Sequence, residues 1–145
     1  MPRLVLDASI AVKWLNPHEP LADKANLIRN DYERGHVSLI VPAFWKYEVA
    51  NGLNKAVARG QLSEEEGREA IALLLALPAQ KEPLPSPQES YELARKYQRS
   101  VYDSWYLHLA ETANCEFYTA DQKLYNALKD TVLWVRWLAD HQSQP

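Results

Sequence analysis

A single cysteine, Cys115, in a chain of 145 residues excludes an internal disulfide framework and a thiolate zinc site. Its simplest role is that of a small buried apolar side chain, which fits a reducing compartment. Basic charge is scarce as well: 16 Lys and Arg against 19 Asp and Glu leave a net charge of -3. Any contact with nucleic acid must therefore come from a local patch rather than bulk attraction. No apolar run approaches the ~20 residues needed to span a bilayer. The opening Met1-Pro2-Arg3-Leu4-Val5-Leu6-Asp7 has the pattern of a first strand rather than a signal peptide. A soluble protein of the cytoplasm is the expectation. Repeats and low-complexity tracts are missing too. The one linker-like stretch is Lys81 to Pro87, with three prolines, expected as a loop around a short strand. What the chain has is 47% apolar residues, enough for one domain with a continuous core.

Short apolar runs mark strands at Leu4 to Leu6, Ser38 to Val41, Glu116 to Tyr118 and Thr131 to Val135. The segments between them have helical period. Helices are expected from Pro20 to about Arg34, stopped by Gly35, and from about Ala43 to Arg59, stopped by Gly60. Ser63 with Glu66 has the form of a capping box for a third helix reaching Leu77. Later helices are expected over Pro87 to Gln98, Val101 to Ala113 and Asp121 to Lys129. Short strands alternating with longer helices predict an α/β fold, with a parallel sheet covered on both faces.

In such a sheet ligands bind beyond the carboxyl ends of the strands, where strand order reverses. Asp7 directly follows the first strand, and Asp121 lies three residues after Tyr118. Each also suits a helix N-cap, and capping does not preclude a second role. Glu48 falls at the margin of the apolar stripe formed by Trp45, Val49, Leu53, Ala56 and Val57. With Asn51 and Gly52 at its i+3 and i+4 positions, it has no local cation ahead of it on the helix. Lys55 and Arg59 stand farther along, ~10 and ~16 Å away by helical rise, where they could contact an RNA backbone or merely solvate the helix. Asp103 completes a Ser-x-x-Asp cap pattern with Ser100, which by itself is weak.

The four acids gain meaning as a set. Two carboxylates ~4 Å apart repel by about 4 kcal/mol at an effective dielectric of 20, so convergence requires a cation. A site of oxygen donors alone suits Mg²⁺ or Mn²⁺ rather than zinc. Such ions orient phosphate oxygens and activate water, which is the chemistry of phosphodiester hydrolysis.

The segments Val5-Leu6-Asp7-Ala8-Ser9, Pro42 followed by Glu48, Tyr102-Asp103-Ser104-Trp105-Tyr106-Leu107-His108-Leu109-Ala110 and Thr119-Ala120-Asp121-Gln122-Lys123-Leu124 occur in order and at suitable spacing. Together they resemble a PIN domain, and more closely the VapC-type toxins of toxin–antitoxin systems, over nearly the whole chain. The resemblance implies a three-layer α/β/α sandwich around a parallel sheet and Mg²⁺- or Mn²⁺-dependent endoribonuclease activity. It also implies homodimerisation and inhibition by a small VapB-like antitoxin. Asp7, Glu48, Asp103 and Asp121 match the acidic metal-binding positions, with Asp7 and Asp103 first among them and Ser9 and Thr119 as polar helpers. Ser104 and His108 stand where small residues such as Ala are commoner in the family.

Two other readings remain open. A phosphatase that begins with a strand and Asp-x-Asp would need a second carboxylate at position 9, where this chain has Ser9. A non-catalytic RNA- or protein-binding module could keep the fold without the chemistry. The stretch Ala70 to Leu77 is apolar nearly all round, expected either in the core or under another chain. Phe44, Trp45 and Tyr47 are candidates for base stacking or an antitoxin groove, with core packing the plainer role of each. The four histidines, His18 and His36 among them, lack metal-ligand spacing and are given no role.

Overall fold

A computed structural model describes residues 2–142. The elements run β1 (Arg3–Leu6), α1 (Ala8–Leu15), α2 (Ala22–Glu33), β2 (Ser38–Pro42), α3 (Trp45–Ala58), α4 (Glu64–Leu75), β3 (Gln80–Glu82), α5 (Pro87–Tyr97), α6 (Val101–Ala113), β4 (Glu116–Thr119), α7 (Gln122–Leu128) and β5 (Val135–Trp137). A 3₁₀ turn, Leu138–Asp140, follows. The strands form one sheet in the order β3-β2-β1-β4-β5, and every neighbouring pair is parallel. Leu4, Val5 and Leu6 of the central strand are all buried, as a strand covered on both faces requires. Helix α6 lies against β1, β2 and β4 with α5 packed on it, while α1 packs on α2 and α3 and reaches β4, giving the three-layer α/β/α arrangement. None of the described helices is long and apolar enough to cross a membrane.

Most helix ends carry their sequence signals. Gly35 and Gly60 adopt φ values of 75° and 77° just beyond α2 and α3, a conformation that glycine accepts without a Cβ clash. The Ser63–Glu66 capping box forms reciprocally. The last strand differs from expectation: it is Val135–Trp137, not Thr131 to Val135. Thr131 and Val132 instead donate their backbone N–H groups to Leu128 O, continuing the end of α7 as a turn before the chain can reach the sheet.

Of the apolar stretch on α4, Ala70 and Leu74 are buried, whereas Leu73 and Leu75 are 55% and 68% exposed, so the helix is covered on one side only. Trp45 is fully buried, Phe44 half-buried and Tyr47 exposed. Cys115 is half-buried and free. His141, given no role from sequence, is buried, with Nε2 3.2 Å from Asp31 Oδ2 and Nδ1 3.4 Å from the Tyr118 hydroxyl. It pins the segment after the 3₁₀ turn to α2 and β4.

Helices α1 and α3 approach closely at Gly52, where an added Cβ would lie 2.5 Å from Val12 Cγ2. Helix propensity favours alanine over glycine by about 1 kcal/mol. Overpacking against a stiff, buried valine costs about 1–3 kcal/mol, and it wins. Gly52→Ala is therefore expected to lose about 1 kcal/mol in urea denaturation; a stabilised variant would show that Val12 yields freely.

Candidate active site

The strand order turns at the β1–β4 boundary: successive strands run outward to β2 and β3 on one side, and to β4 and β5 on the other. Here two carboxyl ends lie side by side, joined by the Asp7 N–H donating to Tyr118 O at 3.0 Å. This is the crevice position of an open α/β sheet. Asp7 caps α1, its Oδ1 accepting from Ser9 N–H at 3.3 Å, and its Oδ2 accepts from the Thr119 hydroxyl at 2.9 Å. The same Thr119 oxygen accepts the Asp121 N–H at 3.0 Å. One buried hydroxyl thus ties the two strand-end acids together.

Asp121 caps α7 through Oδ1, which accepts from Leu124 N–H at 3.1 Å, and its side chain is exposed. Glu48 enters from the first turn of α3, half-buried, with Oε2 accepting from the Tyr106 hydroxyl at 2.7 Å. Asp103 sits in the first turn of α6, where its N–H donates to Ser100 Oγ at 3.0 Å. Its Oδ2 lies 3.4 Å from Arg99 Nη2. An arginine just before a helix N-terminus opposes the helix dipole, so Arg99 is better placed to serve the acid than the helix.

Some of these acids feel one another's charge. Burial, partly offset by the Thr119 and Ser9 hydrogen bonds and reinforced by the charges of Asp103 and Asp121, pushes the Asp7 carboxyl up to about 6. Glu48 is raised by burial, lowered by its bond to Tyr106, and raised again by Asp7 and Asp103. Burial, then the charges of Asp7 and Glu48, hold the Tyr106 phenol well above its ordinary range, so it stays a donor. Asp7 thus feels Asp103 and Asp121, and Glu48 feels Asp7 and Asp103. Even so, among the described residues no three acidic, histidine or cysteine side chains are gathered tightly enough to hold an ion unaided.

The donor set fits a hard divalent cation. It is all oxygen, and beside it Ser9 Oγ is buried without a hydrogen-bond partner. Mg²⁺ ordinarily keeps several waters and takes only one or two carboxylates, so a loose set of acids suits it better than it suits a cation that demands a full protein cage.

Lys55 and Arg59 are exposed at the far end of α3 and are not brought to the acids. Ser104 is fully buried on α6, and His108 lines a groove with Pro42, Glu82 and Trp105, 3.8 Å from Glu89. Sequence reasoning missed Tyr106 and Arg99. Tyr106 was absorbed into the apolar run of α6, although a hydroxyl on a core-facing stripe must find a partner and it stands three residues from Asp103. Arg99 lies four residues before the same acid, a spacing that brings side chains together on one helix face.

The PIN domain family profile matches residues 4–129. Ribonuclease VapC12 of Mycobacterium tuberculosis is 31% identical over 122 residues, 83% of this chain and 88% of that protein. The VapC ribonuclease Mb0985 of Mycobacterium bovis is 34% identical over 93 residues, 63% of this chain and 68% of that one. Among solved structures, PAE2754 from Pyrobaculum aerophilum superposes with a TM-score of 0.67 at 18% identity, covering 95% of this chain and 85% of its own. VapC20 of Mycobacterium tuberculosis, described as a sarcin-ricin loop cleaving toxin, gives a TM-score of 0.59 at 14% identity, covering 86% and 95%. The fold, the acidic switch point and the sequence match over most of the chain agree: this protein belongs to the PIN domain family and is a relative of the VapC ribonucleases.

Proposed function

We propose that this chain is a divalent-cation-dependent endoribonuclease, the toxin of a toxin–antitoxin pair. What supports the reading is the placement of Asp7 and Asp121 at the β1–β4 switch point, bridged by Thr119, with burial first and the charges of neighbouring acids second raising the proton affinity of Asp7 and Glu48. Such mutual repulsion is a standing cost to the fold, and a cation of charge two relieves it. Bound there, Mg²⁺ or Mn²⁺ supplies charge neutralisation at the phosphate and a more acidic attacking water.

The protein's own groups have separable tasks. Asp7 and Asp103 would hold the cation, with Glu48 and Asp121 adding to the negative field. Thr119 fixes the rotamer of Asp7, and Tyr106 fixes that of Glu48. Arg99 offers a guanidinium beside Asp103, where a scissile phosphate would arrive. Water would attack phosphorus in line as the bond from phosphorus to the 3′-oxygen breaks; the attacking water gives up one proton to solvent and the departing oxygen takes one up from solvent, so charge and protons balance. A VapB-like antitoxin and a second copy of the chain are the expected partners; Leu73 and Leu75 are apolar surface open to either. RNA incubated with Mg²⁺ or Mn²⁺ should be cut and chelator should stop the cutting, whereas RNA left whole under both cations would overturn the reading.

The cost also sets a pH dependence for the ion-free protein. The Asp7 carboxyl rises from 3.8 to about 6 on folding. Between those values the folded chain binds the extra proton, so stability is fullest below about pH 4 and falls as pH rises through about 6. Allowing for partial exposure, the loss is about 2 kcal/mol. Melting curves in chelator should fall across this window, and Mn²⁺ should raise the melting temperature more at pH 7 than at pH 5. An ion effect of equal size at both values would separate Asp7 from cation binding.

A further inference from the structure

The four acids of the site do not keep the same company. Asp7 is held by the Ser9 N–H and the Thr119 hydroxyl, Glu48 by the Tyr106 hydroxyl and Asp121 by the Leu124 N–H, all of them neutral donors. Among the described residues, Asp103 alone of the four is met by a fixed positive charge, Arg99 Nη2 lying 3.4 Å from its Oδ2. That contact is loose. Arg29 and Glu33 stand at the same i,i+4 spacing on α2, yet their Nε and Oε1 meet at 2.9 Å, and Arg29 Nη1 also donates to Trp14 O at 3.3 Å. Arg99 instead offers one nitrogen at long range, and its Nε is buried without a hydrogen-bond partner among the described residues. A guanidinium carries five donors in a rigid fork, and a carboxylate engages it well only when it accepts from two of them.

We propose that Arg99 is a resident counter-cation of the acidic site: it neutralises Asp103 while no divalent ion is bound, gives that carboxylate up when one binds, and then turns its guanidinium to an RNA phosphate. The inference rests on the cation-dependent ribonuclease reading and adds to it a coupling between the two ligands. Arg99 lowers the affinity of the site for the ion and raises the affinity of the ion-loaded protein for RNA.

Exchange, rather than a permanent ion pair, follows from the surroundings of Arg99. It stands just before the N-terminus of α6, where the helix dipole repels a cation, so Asp103 is what keeps it there. At equal distance an ion of charge two is attracted to that carboxylate twice as strongly as a guanidinium, and a partly exposed i,i+4 pair contributes little of its own. Arg99 also lines an open cleft of about 590 Å³ with Gln98, Thr131 and Trp134, which gives its side chain room to swing without repacking the core. The one carboxylate lining that cleft, Glu111, is already engaged by Lys96 at 3.2 Å and by the Tyr97 hydroxyl. A released guanidinium therefore meets no vacant acid there. A phosphodiester, which can accept two parallel N–H donors from it, is the anion this chemistry selects. Binding couplings are reciprocal, so RNA that holds Arg99 tightens the ion by the same factor by which the ion tightens RNA.

The test reads Mn²⁺ binding to the full chain without RNA, from the loss of the electron paramagnetic resonance signal of the free ion. Arg99→Gln, which keeps a polar side chain and drops the charge, is expected to bind Mn²⁺ about tenfold more tightly than the parent, because a fixed positive charge beside Asp103 is gone. Arg99→Lys, which keeps the charge, should stay within about threefold of the parent. The gain in Arg99→Gln should shrink at about 1 M salt, where charges are screened within about 3 Å. In RNA cleavage at saturating Mn²⁺ the same variant should raise KM about tenfold, as loss of one charge-assisted contact predicts. A tighter ion combined with weaker RNA is a pair of effects that neither a purely structural arginine nor a plain phosphate contact produces. If the parent cuts RNA and Arg99→Gln binds Mn²⁺ no more tightly than it does, the exchange is overturned and the ribonuclease reading stands. A tighter ion with unchanged KM would also overturn it, leaving Arg99 without a phosphate to turn to. A parent that neither takes up Mn²⁺ nor cuts RNA would remove the ribonuclease reading and the exchange with it.

Discussion

Asp7→Asn should abolish RNA cleavage, lowering kcat/KM by at least about a hundredfold, while making the ion-free protein more stable at neutral pH. The two halves of this result have one cause. Asp7 is held where burial and the charges of Asp103 and Asp121 oppose its ionisation, pushing its carboxyl up to about 6. An amide of the same shape removes the charge, and with it the carboxylate proposed to hold the cation and the repulsion. The cap on α1 survives, because Asn is as good an N-cap as Asp: its oxygen can still accept from Ser9 N–H, while its NH2 takes the place of the other carboxylate oxygen and donates to Thr119 Oγ. The melting temperature in chelator at pH 7 should rise by about 5 °C, corresponding to about 2 kcal/mol for a chain of this size. Mn²⁺ should then raise it no further. A variant that still cuts RNA would end the acidic-site mechanism. One that is inactive but less stable would show that Asp7 holds the fold rather than straining it.

The second large effect is on the fold that carries the site. Trp45 is fully buried, and its indole N–H donates to Leu6 O at 2.9 Å. That bond joins the residue before Asp7 to the helix that bears Glu48, so one side chain sets the distance between two of the acids. Trp45→Ala removes a large core side chain and orphans a buried carbonyl, and is expected to cost about 4 kcal/mol. Trp45→Phe keeps much of the packing and loses the hydrogen bond, so its cost should be about 1–2 kcal/mol. Urea denaturation separates the two. If both variants lose the same amount, the indole N–H contributes nothing and packing alone anchors α3 to β1.

The strands and helices were legible because their signals are local: buried triplets at Leu4 to Leu6, the Ser63–Glu66 box, and glycines where helices must end. The misplaced last strand shows the limit of that reading. Thr131 to Val135 has the composition of a strand, yet α7 has to be closed by a turn at Leu128 before the chain can enter the sheet. Where a strand begins depends on where the sheet lies, which no window of sequence contains.

The site divides in the same way. Asp7 and Asp121 were readable from their places after strands, and Glu48 from its position on the margin of a helix stripe. Tyr106 and Arg99 were not, since a tyrosine in an apolar run and an arginine before a helix look ordinary until their neighbours are known. Lys55 and Arg59, expected ~10 and ~16 Å along the helix from Glu48 as possible contacts to an RNA backbone, are exposed at its far end.

By itself, then, the sequence determined the α/β class and the helix boundaries near Gly35, Gly60 and Ser63, and it singled out Asp7 and Asp121 as acids that follow strands. The tertiary structure alone decided that β1 and β4 are neighbours, that Thr119 bridges Asp7 and Asp121, and that Tyr106 reaches Glu48 across 58 residues of chain. The physical reason is range. Capping, turn chemistry and periodicity act within a few residues, whereas the burial and charge coupling that raise Asp7 exist only once distant segments share one sheet edge.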